Sequence, residues 1–362
     1  MAGIFHPGAL AVPIVQAPMA GGPSTPELAI AVSEAGALGF LAAGYKQTQS
    51  VREDIDAVRA SSTKPFGVNL FVPTPEPADP ASYRDYLREL EPEAARQGVD
   101  LDEARFDDDE WENKLRLVRE QRVPVVSFTF GCPDIDVITA LHDAGIAVWV
   151  TITNVAEAAS AQRAGADALI VQGTEAGGHR GSFTDDENTG GFGLLALLRL
   201  VSRAVPLPLI ATGGIADGHA VASVLCAGAS AAQIGTALML APEAGTTPSQ
   251  RALTSQAIPT QLTRAFTGRL ARGITNRFLG EHSATAPIAY PEINNATRSL
   301  RGAARQQGDT DAFNLWAGQA HELARDQPAG ELIRTMDADV RRAIDEARTA
   351  IERPSAGPQL RG

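Results

Sequence analysis

The 362-residue chain is 44% hydrophobic and carries 31 basic against 43 acidic residues, a formal net charge of -12. That length and apolar content suffice for one large core, and a (β/α)8 barrel of about 250 residues with additions fits, while the acidic balance argues against nucleic acid or an anionic membrane surface as partner. Cys132 and Cys226 form no disulfide framework, and no signal-peptide pattern or apolar run of about 18 residues is present, so a cytoplasmic protein without a membrane span is expected.

Val12–Ala17 is an apolar run bounded by turn residues and reads as the first buried strand. Thr25, Pro26 and Glu27 open a helix as N-cap, first helical residue and first-turn acid, and Gly36 stops it. Leu38–Ala43 is the second strand, and Ser50 caps a helix through Ala60. Phe66–Val72 is the third strand, with one polar residue, Asn69, inside it. Pro73 to Pro80 is too rich in proline for regular structure. We read 73–113 as an insertion after strand three, helical and partly covering the barrel mouth, with Trp111–Arg122 returning to the barrel. Strand four is Val123–Phe130, followed by a helix over Asp134–Ala144. Strand five is Ala147–Ile152, and Asn154 caps the helix to Ala164. Strand six is Asp167–Val171, with its helix, Gly193–Ala204, after a longer loop. Leu207–Ala211 and Ala231–Gly235 are strands seven and eight, separated by a helix over Asp217–Ala227.

Strict alternation of eight near-continuous apolar strands with helices predicts a TIM (β/α)8 barrel, with function at the strands' C-terminal ends. From Pro242 the pattern changes. Residues 1–241 are expected to form the barrel and 242–353 a helical C-terminal extension that closes over its mouth. Thr310–Leu323 and Ala329–Arg353 are its expected helices, and 354–362 a frayed tail.

The strand ends carry the chemistry. After strand six come Gly173, Glu175 and the run Gly177-Gly178-His179-Arg180-Gly181. Glycines let the backbone approach a ligand closely, and a histidine held there is a candidate base because its ordinary pKa of about 6.5 lies near working pH. Gly213 and Gly214 follow strand seven, and Gly235-Thr236 ends strand eight. These are the places where barrels commonly bind phosphate, through backbone N–H groups. Gln16, Asn69, Gln172 and Gln233 are amides inside apolar strands. Either they satisfy one another in the barrel or they read the edge of a planar heterocycle. A phosphate site with converging amides suggests flavin mononucleotide, FMN. No cluster has metal-ligand spacing, and no Gly-x-Ser-x-Gly elbow or Gly-Lys-Thr phosphate loop is present. Cys132 has no basic neighbour in sequence and reads as a packing residue.

Six segments lie in the order of one known family: QAPMAGG (Gln16–Gly22), VNLFVP (Val68–Pro73), SFTFGCP (Ser127–Pro133), GTEAGGHRGSF (Gly173–Phe183), ATGGIADG (Ala211–Gly218) and QIGTAL (Gln233–Leu238). YPEINNATRSLR (Tyr290–Arg301) and LWAGQ (Leu315–Gln319) extend the match. The sequence resembles the class I nitronate monooxygenases, formerly 2-nitropropane dioxygenases. The resemblance implies a flavin-binding barrel with an added helical domain. Asn69, Gln172, Gly177, Gly214, Gln233, Ile234, Gly235 and Thr236 would bind FMN, with Gly178 and Gly213 in the same loops and Pro18 and Met19 against the ring. His179 would be the catalytic histidine, and Ser127 and Tyr290 candidate substrate contacts. Asn294 and Arg298 stand where the family carries a tyrosine and a lysine, which bears on substrate preference. The implied reaction takes electrons from an alkyl nitronate, such as propionate 3-nitronate, and uses O2 to give a carbonyl compound and nitrite. It serves detoxification without nicotinamide, in a monomer or homodimer. The rival readings are a flavin-dependent enoyl-acyl carrier protein reductase, with a similar barrel and Gly-Gly-His loop, and a non-catalytic FMN carrier.

Overall fold

The computed structural model describes residues 4–74, 77–186 and 191–352, so the expected tail lies outside the described residues. Its barrel half runs β1 (Ile14–Gln16), α1 (Pro26–Glu34), β2 (Gly39–Ala42), α2 (Thr48–Ser61), β3 (Phe66–Phe71), α3 (Pro80–Arg96), α4 (Trp111–Glu120), β4 (Val125–Thr129), α5 (Ile135–Asp143), β5 (Ala147–Ile152), α6 (Val155–Ala164), β6 (Ala168–Gln172), β7 (Gly178–His179), α7 (Leu194–Ala204), β8 (Leu209–Thr212), α8 (Gly218–Cys226) and β9 (Ala231–Ile234). The rest is α9 (Pro248–Thr254), β10 (Thr260–Thr263), β11 (Ala271–Ile274), α10 (Arg277–His282), α11 (Glu292–Ala296), α12 (Arg298–Gln307) and α13 (Ala329–Glu352). Eight parallel strands pair in the order β1-β9-β8-β6-β5-β4-β3-β2. Gln16 N–H donates to Leu38 O at 2.8 Å and Leu38 N–H to Ile14 O at 3.1 Å, which closes the ring.

Side chains alternate across a strand, and here the alternation sorts the core. Leu41, Val68, Val126, Val148, Leu169, Leu209 and Ala232 face outward and pack with the helices. Val15, Phe40, Val125, Trp149, Ile170 and Ile210 form the inner cluster, with Phe5 and Leu10 packed against it. Two residues further along the same inner faces stand Asn69, Ser127, Thr151, Gln172, Thr212 and Gln233. The barrel is therefore apolar at its base and polar at the strands' C-terminal ends.

Local signals account for most helix ends. Thr25 caps α1 by accepting from Leu28 N–H at 3.1 Å. Asn154 caps α6 by accepting from Glu157 N–H at 2.9 Å, and Gly165 ends that helix with φ 101°. Ser50 is not the cap of α2. The helix starts at Thr48, whose N–H reaches the Glu110 carboxylate of the insertion at 2.9 Å. A remote acid satisfies an orphan N–H that the local sequence leaves open.

The extension departs from the expected all-helical form. Thr310–Leu323 is not a helix; apart from a single bridge of Trp316 to Gly273 and a 3-10 turn at His321–Leu323 it is irregular. Its backbone is engaged elsewhere: Leu315 O accepts from Ile274 N–H at 2.8 Å, and Asn276 Nδ2 donates to Thr310 O and Phe313 O at 2.9 Å each. β10 and β11 form an antiparallel pair, and β11 also pairs with β7. In the insertion, α3 packs its Tyr83, Tyr86 and Leu90 with Phe266, Phe278 and Ile293 of the extension. Tyr86 OH donates to Ala265 O at 2.6 Å.

Candidate active site

The polar strand ends open into a cavity of about 450 Å3. Pro18 and Met19 line it after β1, Asn69 at β3 and Gln172 at β6. Gly177, Gly178 and His179 line it at β7, Gly213 and Gly214 after β8, and Gln233, Gly235 and Thr236 at β9. Three of the expected residues do not line it. Ile234 faces outward and packs among the helices. Ser127 is fully buried beneath Asn69. Tyr290 stands against the His179 ring, centroids 5.9 Å apart, with its hydroxyl 3.2 Å from that of Tyr45.

The amides divide by what holds them. Gln16 lies on the outward face and bonds the Phe40 backbone and Ser24. Asn69 Nδ2 donates to Ser127 Oγ, Ser127 O and Thr129 Oγ1 at 2.9, 3.1 and 3.0 Å, which leaves Oδ1 as its acceptor toward the cavity. Gln172 bridges the loop that carries the histidine: Nε2 donates to His179 O at 3.0 Å and Oε1 accepts from Gly181 N–H at 2.8 Å. Gln233 Oε1 is buried with no partner among the described residues.

His179 sits on β7, not on a free loop, paired with Ala271 of β11. Gly177 is required one step earlier because a Cβ there would lie 2.5 Å from Ala317 C and from Gly318 N. The imidazole is walled by Trp316, Phe130 and Tyr290, with ring centroids 5.3, 5.8 and 5.9 Å away. Its Nε2 lies 2.8 Å from Thr267 Oγ1. Burial, then the charges of Arg269 and Arg301, lower its pKa to about 3. The ring is neutral at working pH. Arg269 is buried, stacks 4.2 Å over Phe130 and donates to Ser182 O. Phe130 adopts φ 76°, a costly conformation for a bulky residue, and this turns its ring toward the histidine and the arginine.

One wall of the cavity is cationic. Arg298, Arg301 and Arg305 of α12, spaced to share a face, all line it. Arg301 donates to Thr297 Oγ1, Asn294 O and Asn314 Oδ1, and Arg298 to Asn295 Oδ1. Arg305 donates to Asn314 Oδ1. None of the three pairs with a carboxylate among the described residues. Asn294 and Arg298 thus fall on this wall. Cys132 is half-buried, and burial, then Asp134, push its thiol up to about 11, which suits packing and not nucleophilic attack.

Thr267, Arg269, Arg301 and Trp316 escaped the sequence reading. All lie in the extension, where only Tyr290 was expected to touch substrate and Asn294 and Arg298 to bear on its choice. The signals were the basic run over Leu262–Gly280, which holds Thr267 and Arg269, and the matching segments YPEINNATRSLR and LWAGQ, which hold Arg301 and Trp316.

A family model described as nitronate monooxygenase matches residues 8–339. A nitronate monooxygenase of Pseudomonas aeruginosa is 42% identical over 338 residues, covering 91% of this chain and 96% of that protein. One of Paraburkholderia phytofirmans is 40% identical over 348 residues, covering 93% and 94%. The crystal structure of a nitroalkane oxidase from Streptomyces ansochromogenes superposes with a TM-score of 0.91 at 45% identity, covering 95% of this chain and 99% of that one. The match runs from the first barrel strand into α13 and takes in both the strand ends and the arginine-bearing extension, so the chain belongs to the nitronate monooxygenase family and is an oxidoreductase.

Proposed function

We propose that the protein is an FMN-dependent monooxygenase that oxidises alkyl nitronates of the propionate 3-nitronate type with O2 to a carbonyl compound and nitrite. It would act in detoxification, in the cytoplasm, as a monomer or homodimer. The barrel over 1–241 would hold the flavin and the 242–353 extension the substrate. One observation carries the reading: a neutral imidazole and three arginines without carboxylate partners face the same cavity.

The residues present fit the flavin. Gln233 Oε1 is an orphaned buried acceptor on the cavity wall, and Asn69 adds a second acceptor, both suited to the N–H edge of a planar heterocycle. Gly213 and Gly214, at φ 120° and 67°, hold a backbone that side chains resist. Their N–H groups and those of Gly235 and Thr236 have no acceptor among the described residues, which suits a phosphate. Bound FMN supplies the electron acceptor for the nitronate and the route to O2.

The chain's own residues do the rest. With a neutral nitroalkane, His179 takes the α-proton as base, and the anion that forms beside it offsets the burial and the arginine charges that lower the imidazole's proton affinity. A preformed nitronate needs no such transfer. The arginine wall suits a distal carboxylate, because charge-assisted guanidinium bonds are strong and directional. Phe130, Trp316 and Tyr290 pack around the imidazole and leave it open to the cavity.

Aerobic oxygen uptake with propionate 3-nitronate, without NAD(P)H, tests the proposal. Oxygen consumption with release of nitrite is expected. Flavin reduction by NADPH but not by nitronate would assign the protein to the reductases instead. A colourless protein that stays colourless with added FMN would overturn the reading altogether.

A further inference from the structure

We infer that Thr267 is a positioning residue that fixes the tautomer of His179, so that the Nδ1 lone pair faces the cavity. Thr267 comes from the short link between β10 and β11 and is almost wholly buried. Its Oγ1 lies 2.8 Å from His179 Nε2 and 3.2 Å from Arg269 O. A carbonyl can only accept, so the single hydroxyl proton goes to Arg269 O, and the threonine oxygen then accepts from Nε2–H. The opposite direction would leave Arg269 O without its only donor among the described residues. Nδ1 has no protein partner among those residues, and the ring lines the cavity. The chain Nε2–H to Oγ1–H to carbonyl therefore leaves a proton acceptor where a substrate carbon would lie. Gln172 and the β7–β11 pairing hold the backbone, and Thr267 sets the ring.

This inference rests on His179 acting as the base toward nitroalkanes. In that step the α-carbon–hydrogen bond breaks, its electron pair passes into the nitro group, and the proton ends on Nδ1. The imidazolium then has N–H on both nitrogens, with Thr267 still accepting from Nε2.

Thr267→Val keeps the shape and removes the hydroxyl, whereas Thr267→Ser keeps the hydroxyl. Both are compared with the unaltered protein, flavin-loaded, on a neutral nitroalkane and on its preformed nitronate. In Thr267→Val, kcat on the nitroalkane should fall about 10- to 100-fold, the size of loss seen when the outer partner of a metal-bound imidazole is removed, while kcat on the nitronate changes far less. Thr267→Ser should restore the nitroalkane rate. Nitrogen-15 NMR of the histidines, with His179→Asn for assignment, should show an unprotonated Nδ1 and protonated Nε2 at His179, and a mixture of tautomers in Thr267→Val. Equal losses on both substrates, no rescue by serine, or a protonated Nδ1 in the neutral ring of the unaltered protein would overturn the inference. The NMR reading needs no turnover, so it separates failure of this inference from failure of the proposed activity, and it applies to Thr267→Ser if Thr267→Val does not fold.

Discussion

His179 holds its proton affinity low because folding places it among three aromatic rings with two guanidinium groups in range. That has a consequence for stability. The imidazole titrates near 6.5 when unfolded and at about 3 in the fold, so as pH falls the unfolded chain takes the proton first. Its contribution is complete above pH 6.5 and is lost progressively toward pH 3, by about 1.4 kcal/mol per pH unit between the two pKa values. His179→Asn should therefore lose less stability between pH 7 and pH 5 than the unaltered protein, by up to about 2 kcal/mol; urea unfolding at the two pH values measures this. The same variant should keep the yellow flavin spectrum and lose about 10²–10⁴-fold in nitroalkane turnover, the usual contribution of a general base. Unimpaired turnover would remove His179 from the mechanism.

Two elements decide how the site is built. On α12, Arg301 lines the cavity with only neutral oxygen partners, so its charge is left to meet an anion. If it meets the far end of the substrate, Arg301→Gln should raise KM for propionate 3-nitronate about 10- to 100-fold, the worth of one hydrogen bond to a charged group. An unbranched alkyl nitronate of equal length should be much less affected; parallel steady-state kinetics decide it. Just before β7, Gly177→Ala would drive a methyl into the backbone at Ala317 and Gly318. A cost of about 1–3 kcal/mol or more is expected in urea unfolding, with reduced kcat because His179 moves with its strand. These two elements also show what the sequence conceals. The barrel strands were legible because each is an apolar run between turn residues, and Asn69, Gln172 and Gln233 stood out as polar interruptions. β10 and β11, reading TQLT and ARGI, carry neither an apolar run nor clean alternation. They form because β7 offers an open edge. Thr310–Leu323 carries helix formers, yet its carbonyls are taken by β11 and Asn276. Such long-range partners leave no local trace, and Thr267 went unseen for the same reason.

The whole molecule is closed by its last helix. Leu332, Ile333, Met336 and Val340 of α13 enter the same apolar core as the outward faces of the barrel strands. Just before it, Gly318 N–H donates to Thr236 Oγ1 at 3.0 Å, and Gln319 N–H to Glu175 O at 3.0 Å, on two barrel loops of the site. The extension thus holds the barrel through β11 at β7, through Gly318 and Gln319 at the strand ends, and through α13 on the outer wall, besides its contacts with the insertion. With the outer core shared in this way, the two parts should unfold together. Met336 is 2% exposed, and Met336→Ala should cost about 2–5 kcal/mol as a buried truncation. The loss should appear equally in far-UV circular dichroism, which follows the helices, and in flavin release, which follows the strand ends. Two separated transitions in the unaltered protein, or a Met336→Ala variant that loses helix signal before flavin, would mean that the extension is an independent unit resting on a self-sufficient barrel.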